Sequence, residues 1–197
     1  SRSIPSVVHE VKRLSSEGVR EFNLIAQDSS FYGRDLNDGT TLARLLKELV
    51  KIDNVKWIRL FYLYPTYFDD ELLEIITKEE KICKYVDIPL QHISDSVLRR
   101  MHRRDSSQSI KKLLKKLRNT TPYITIRTTL MVGFPGETEA DFKELLTFIK
   151  AVKFDNMGAF TYSAQDGTPA ARMVDQVTEE IKENRYHELM AAQAEIS

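Results

Sequence analysis

The apolar positions of this chain change period repeatedly along its length. Between Pro5 and Gly18 they fall at Val7, Val8, Val11 and Leu14, a spacing that predicts a helix, with Pro5 suited to its first turn and Gly18 to its stop. A short apolar run at 22–26, bounded by polar residues, predicts a buried strand. The alternation continues with helices over 41–51, 70–77, 95–103, 110–118, 137–150 and 179–195, and strands over 56–63, 85–90, 124–132 and 156–162. Strands alternating with helices imply an α/β fold with a parallel sheet and right-handed crossovers, either wound open or curled into a barrel. A parallel βα chain that opens on a helix has lost the strand before it. The pattern therefore predicts six strands in the intact protein, fewer than close an eight-stranded barrel.

Composition narrows the functional classes. A length of 197 residues suits one domain, with no second fold expected. The 29 basic and 29 acidic side chains cancel, so nothing global attracts nucleic acid or an anionic membrane, and any polyanion contact must be local. No apolar run approaches the roughly 18 to 20 residues of a membrane span, and Ser1-Arg2-Ser3-Ile4-Pro5 has no apolar signal core, which predicts a soluble, cytoplasmic protein. Cys83 is the sequence's one cysteine. It excludes an internal disulfide framework and reads as a small structural side chain just ahead of the strand at Tyr85.

In either βα architecture, ligands bind beyond the carboxyl ends of the strands. Those ends read Gln27-Asp28-Ser29-Ser30, Tyr62-Leu63-Tyr64-Pro65, Gln91-His92, Gly133-Phe134-Pro135-Gly136 and Tyr162-Ser163-Ala164-Gln165. Four of them carry hydrogen-bonding side chains, as a cleft for a polar, multifunctional ligand requires. No nucleophile, base and orienter triad stands out. His92 reads as a rim residue or a satisfied helix-start histidine, and the scattered histidines with one cysteine make no zinc set. Gly133 to Gly136 either cradles an anion at a helix N-terminus or forms a turn that lets strand and helix pack closely. The lysines at 111, 112, 115 and 116 read as a solvated helix face, whereas the denser Arg99, Arg100, His102, Arg103 and Arg104 offer carboxylate or phosphate capture toward the cleft, or contact with RNA.

The run Leu130-Met131-Val132-Gly133-Phe134-Pro135-Gly136-Glu137-Thr138, with Tyr85-Val86-Asp87-Ile88-Pro89-Leu90-Gln91-His92 upstream, resembles the radical S-adenosylmethionine methylthiotransferases over essentially the whole chain. Within that family, the 25–33 segment and Tyr162 to Ala171 are similar to the enzymes acting on an aspartate of small-subunit ribosomal protein twelve. The tRNA-modifying relatives, the nearest alternative, have Gly-Gln-Asn where this chain has Ala26-Gln27-Asp28. A non-catalytic ribosome-binding module is a further alternative. The resemblance implies a partial (β/α)6 TIM-like barrel of the radical SAM type, its first strand and cluster loop missing, with residues 1–197 as the core and 176–197 leading toward an RNA-binding β-barrel domain. It implies S-adenosylmethionine across the strand ends. Gln91 would face the cofactor, Arg103 its carboxylate, Thr129 its ribose, and Tyr162 and Ser163 its adenine, while Gln27 and Asp28 would lie near the methionine moiety and substrate. Tyr62 stands near where distant relatives carry an acidic residue. The resemblance further implies two four-iron clusters in the full-length protein, held by cysteines that this sequence does not contain, so that the piece alone is expected to be inactive. The implied partner is the ribosomal protein or ribosome, with RNA contact through Arg99, Arg100 and Arg104, no membrane, and a monomeric state.

Overall fold

The computed structural model describes residues 1–196, which form two compact units. The first comprises Ser1–Ile88 with Leu117–Ile124, and the second Pro89–Lys116 with the chain from Thr125 onward.

In the first unit α1 (Ile4–Ser16) is followed by β1 (Glu21–Leu24), α2 (Leu42–Leu49), β2 (Trp57–Leu60), α3 (Asp70–Lys78) and β3 (Ile82–Asp87). Each helix begins where a short polar side chain takes an otherwise orphaned backbone N–H: Ser3 from Ser6, Thr41 from Arg44, Asp69 from Leu72. β1 runs parallel to β2 with Phe22 opposite Ile58, and β2 runs parallel to β3 with an irregularity between Ile58 and Leu60. Leu46, Leu49, Ile58, Leu60, Ile76 and Val86 are fully buried between these strands and helices.

The second unit holds α4 (Asp95–Arg100), most of α5 (Ser107–Thr120), β4 (Thr125–Val132), α6 (Glu139–Val152), β5 (Asn156–Thr161) and α7 (Glu179–Ala194). β4 alternates buried and half-buried positions without a break, and it pairs in parallel with β5 from Arg127 opposite Asn156 to Val132 opposite Thr161. α7 packs on β4, β5 and α6.

The α/β class and the parallel strands are as expected, with instructive shifts at the boundaries. β3 covers Ile82–Asp87 rather than 85–90, so Cys83 lies within the strand and not ahead of it. Pro89 has no N–H for a ladder, and pairing resumes only as an isolated bridge between Gln91 and Leu130. The helix expected over 95–103 ends at Arg100, because His102 turns left-handed at φ 54. Arg99 and Arg103 therefore do not share a helical face. α6 starts at Glu139, since Thr138 and Asp141 form a capping box that leaves Glu137 in the turn before it.

Asp141 also ties α4 to α6. Its Oδ1 accepts from Ser96 Oγ at 2.7 Å and from Ser94 Oγ, and its Oδ2 from Thr138 Oγ1 at 2.6 Å. Burial alone would raise the carboxyl pKa, but the hydroxyls of Ser94, Thr138 and Ser96 outweigh it and hold the group well below the ordinary value of 3.8. Asp141→Ala is expected to cost about 1–2 kcal/mol through loss of the cap. Because the folded pKa is depressed, that contribution is fully present above the unfolded value and is lost progressively as pH falls from there through the lower folded value. Urea melts of wild type and Asp141→Ala should begin to approach one another below about pH 4 and draw closer as pH falls further.

Candidate active site

Gln91 sits where the chain, having left β3, touches the edge of β4. Its N–H donates to Thr129 O at 2.9 Å and its carbonyl accepts from Met131 N–H at 2.7 Å, so both backbone groups are fixed at a left-handed φ of 69. Non-glycine residues enter that region rarely and stay there only when their surroundings over-determine them. The consequence is a side chain at the wall of a cavity of about 440 Å³, where its Oε1 is buried without a hydrogen-bond partner.

The cavity wall is shared with the polar Arg100, His102 and Arg103 and with the apolar Met101, Met131, Phe134, Phe160 and Met173. Arg103 is nearly buried, and its Nη2 donates to Pro89 O at 2.8 Å with Asp105 at 3.7 Å, which anchors the guanidinium at the rim. Arg100 is held by Asp175 at 2.6 Å, while Arg99 and Arg104 are exposed. A buried acceptor and an anchored guanidinium over an apolar, methionine-rich floor suit a ligand with an ammonium group, a carboxylate and a flat or thioether-bearing body.

The structure brings Gln91 and Arg103 to this one cavity. Thr129 lies on β4 on the same face as Met131, two residues along, with Oγ1 beside Gly158 of β5. Tyr162 has its side chain in the core. Its ring is buried with Val97 and Phe134, the latter edge-on at 5.1 Å, and its N–H extends the β4–β5 ladder to Val132 O at 2.9 Å. Ser163 is exposed just beyond it. Gln27 and Asp28 belong to the first unit. There Gln27 is exposed, and Asp28 caps a 3-10 turn at Ser29–Phe31 by accepting from Phe31 N–H at 3.2 Å.

The turn after β4 is a packing device. Gly133 has φ 75, and a Cβ there would lie 2.3 Å from Lys182 Cγ of α7. Its N–H donates to Glu137 Oε2 at 2.8 Å, and Glu137 Oε1 accepts from Arg185 Nη1 at 2.8 Å. His92 is wholly buried beside them, with Nδ1 accepting from Ser94 N–H at 3.0 Å, so Nε2 carries the proton and faces Glu137 at 3.7 Å. Burial lowers the His92 pKa to about 4, with Asp141 opposing and Arg185 assisting, so the ring is neutral. His92 is thus a buried histidine at the start of the α4 segment, not a rim residue, and it is satisfied at Nδ1 alone, since Nε2 is buried without a hydrogen-bond partner. Burial likewise raises the Glu137 pKa, against the pull of Arg185 and of the Gly133 N–H. Sequence reasoning missed this network and the methionine wall. A trace of the wall was present in Met131, which shares a face of β4 with Thr129.

Among the described residues no group of three or more His, Cys, Asp or Glu side chains could hold a metal, and no helix is long and apolar enough to cross a membrane. The chain is 51% identical over all 197 residues to the ribosomal protein uS12 methylthiotransferase RimO of Geotalea uraniireducens and 52% to that of Pelobacter propionicus, and in each case it spans 44% of the relative's length. Among solved structures it resembles Escherichia coli coproporphyrinogen III oxidase (HemN), described as a radical SAM enzyme, with a TM-score of 0.72 at 15% identity over 98% of this chain and 46% of that one. It also resembles Streptococcus suis SuiB, bound to its precursor peptide SuiA, with a TM-score of 0.63 at 16% identity over 100% of this chain and 41% of that one. Residues 1–149 match the Radical SAM superfamily, and the chain belongs to it.

Proposed function

We propose that this chain is the S-adenosylmethionine-binding core of a methylthiotransferase that modifies the β-carbon of an aspartate in ribosomal protein uS12. The observation that carries this reading is identity of about half the residues, sustained from one end of the chain to the other, to enzymes of that name. Residues 176–197 then lead toward an RNA-binding domain of the longer protein, which works as a cytoplasmic monomer on the ribosomal protein or ribosome.

The residues of the second unit fit S-adenosylmethionine. The buried, unpartnered Gln91 Oε1 offers an acceptor for its ammonium group, Arg103 a donor for its carboxylate, and Met131, Phe134 and Phe160 an apolar bed. On this reading Thr129 of β4 faces the ribose, and the chain at Tyr162 and Ser163, after β5, faces the adenine. Held by Gln91 and Arg103, the cofactor would supply the radical chemistry for hydrogen abstraction from the substrate. What these residues do is bind and orient the cofactor and, through the packed methionine and phenylalanine side chains, keep water from it. A four-iron cluster does not fit this chain's own residues, since several thiolates are needed and Cys83 is a lone, half-buried thiol whose pKa burial raises.

The test is mass spectrometry of substrates incubated anaerobically with the full-length, cluster-loaded protein. Gain of one methylthio group on an aspartate of uS12, with none on tRNA, is the expected result. Modification of tRNA alone would reassign the substrate.

A further inference from the structure

The first unit presents a surface beyond the ends of β1 and β2. The loops that leave those strands are stitched together, with Ser29 N–H donating to Tyr62 O at 2.9 Å and Tyr64 N–H donating to Ser30 Oγ at 2.9 Å. On this frame aromatic rings are partly exposed rather than buried, with Tyr62 beside Phe61 at 6.4 Å. Phe31 meets Tyr67 edge-on at 5.3 Å, the Arg34 guanidinium lies 4.8 Å from the Tyr67 centroid, and Phe31 and Tyr62 are 40% and 42% exposed.

Tyr62 is the telling residue. It is held at φ 54, a conformation that bulky side chains avoid. Its N–H donates to the buried Asp87 carboxylate at 3.3 Å while Ser29 holds its carbonyl. Asparagine or glycine would take this backbone at less cost, and neither would carry a ring into solvent. Strain kept at a strand end, with an exposed aromatic as its product, points to a binding role for that ring.

The charge around the rings selects the partner. Asp28, Asp35, Asp38, Asp69 and Asp70 lie on the same two loops or at their ends, against Arg34. Of the other cations at hand, Arg2 pairs with Glu10, and Arg44 donates to Gly39 O at 2.8 Å. An RNA backbone would meet like charge here, whereas lysine and arginine side chains would meet carboxylates and π faces. Loops rich in tyrosine with serine, glycine and asparagine also suit the gripping of polypeptide, because a tyrosine supplies area with few rotors to freeze. We infer that the surface around Tyr62 and Tyr67 binds a cationic polypeptide segment of the substrate. This rests on the reading that the substrate is a ribosomal protein, and it specifies the part of the chain that recognises it.

The test is fluorescence anisotropy of the full-length protein with an arginine-rich peptide, its glutamate-substituted counterpart and a single-stranded RNA of equal length. Tyr62→Gly combined with Tyr67→Ala should weaken the arginine peptide by roughly 10-fold to 100-fold, and Tyr62→Phe should not. Because Tyr62→Gly relieves the left-handed strain, the single variant should melt no lower than wild type, which a purely structural tyrosine would not combine with lost affinity. Unchanged peptide affinity in the double variant, or RNA binding tighter than the peptide and lost with the same substitutions, would overturn the inference. Turnover of uS12 by wild type with an unaltered KM in the double variant would remove this surface and leave the methylthiotransferase reading standing. Peptide affinity lost as expected in a wild type that never modifies uS12 would remove that reading alone.

Discussion

Gly133→Ala is expected to lose about 2–5 kcal/mol of stability, the sum of a left-handed backbone term of about 1–2 kcal/mol and an overpacking term of about 1–3 kcal/mol. The first follows from φ 75 at this residue. The second follows from Lys182, whose Cγ, Cδ and Cβ would lie 2.3, 3.1 and 3.2 Å from the new methyl carbon. Those atoms cannot swing aside cheaply. Lys182 is 4% exposed, its ammonium is paired with Glu179 at 2.6 Å and lies 5.5 Å from the Tyr162 ring centroid, and its stem fills the space between α7 and the turn. Gly167 provides the control. At φ 84 a methyl group added there would meet nothing within 4 Å, so Gly167→Ala should show the backbone term alone. Urea unfolding of the two variants measures the difference, and equal losses at both positions would show that the contact with Lys182 relaxes freely. The damage should reach the cavity as well, because Phe134, next to Gly133, is part of its wall. Residual folded Gly133→Ala should therefore bind S-adenosylmethionine more weakly.

The elements of this fold are legible in the sequence because local rules and long-range packing agree in them. β4 reads directly from its alternation, and α6 from an apolar stripe behind a threonine with an aspartate three residues on. Disagreement begins where a residue obeys its neighbours in space rather than in sequence. Tyr62, Gln91 and His102 all take left-handed backbone conformations, and only His102 is of a residue type enriched there. Tyr62 and Gln91 follow strands and His102 ends α4, so the unreadable positions fall where the strand-end surfaces are built. For the same reason a continuous helix over 95–103 would carry Arg99 and Arg103 on one side, and the turn at His102 separates them. The glycines at 133 and 136 admit two readings in sequence, an anion cradle or a close-packed turn. The second is what Lys182 and Arg100 enforce from segments far along the chain. Gln91 is legible from its place at a strand end. The methionines that complete its cavity come from three separate segments, and no local spacing connects Met101, Met131 and Met173.

Arg185→Met should be among the most destabilising substitutions in α7, at about 3–5 kcal/mol, because it leaves a carboxylate buried without its counter-charge. Arg185 is 7% exposed, and its Nη1 donates both to Glu137 Oε1 at 2.8 Å and to Glu137 O at 3.1 Å, so one guanidinium satisfies the side chain and the backbone of the residue that closes the Gly133 turn. Its Nη2 lies 3.6 Å from Glu139 at the start of α6, a contact at an exposed carboxylate that adds little. Replacing both partners of the buried pair should be far milder than removing one. In Glu137→Gln/Arg185→Met the amide oxygen can still accept from Gly133 N–H, no net charge is left inside, and the methionine occupies much of the arginine's volume against Phe142, whose ring centroid lies 5.5 Å from the guanidinium. More than half of the single variant's loss should return in the double variant. The pH dependence separates a charge effect from a packing effect. Burial already raises the Glu137 pKa and Arg185 pulls it back, so without the arginine the folded value rises further above the unfolded value of 4.5. A raised carboxyl pKa means that the folded state holds a proton the unfolded state has released, so stability falls as pH rises through that window. The deficit of Arg185→Met relative to wild type should accordingly be small near pH 4 and grow toward neutrality, while that of the double variant stays flat. A deficit of the same size at every pH would assign the role of Arg185 to packing between α7 and α6, and the pairing with Glu137 would then contribute nothing measurable.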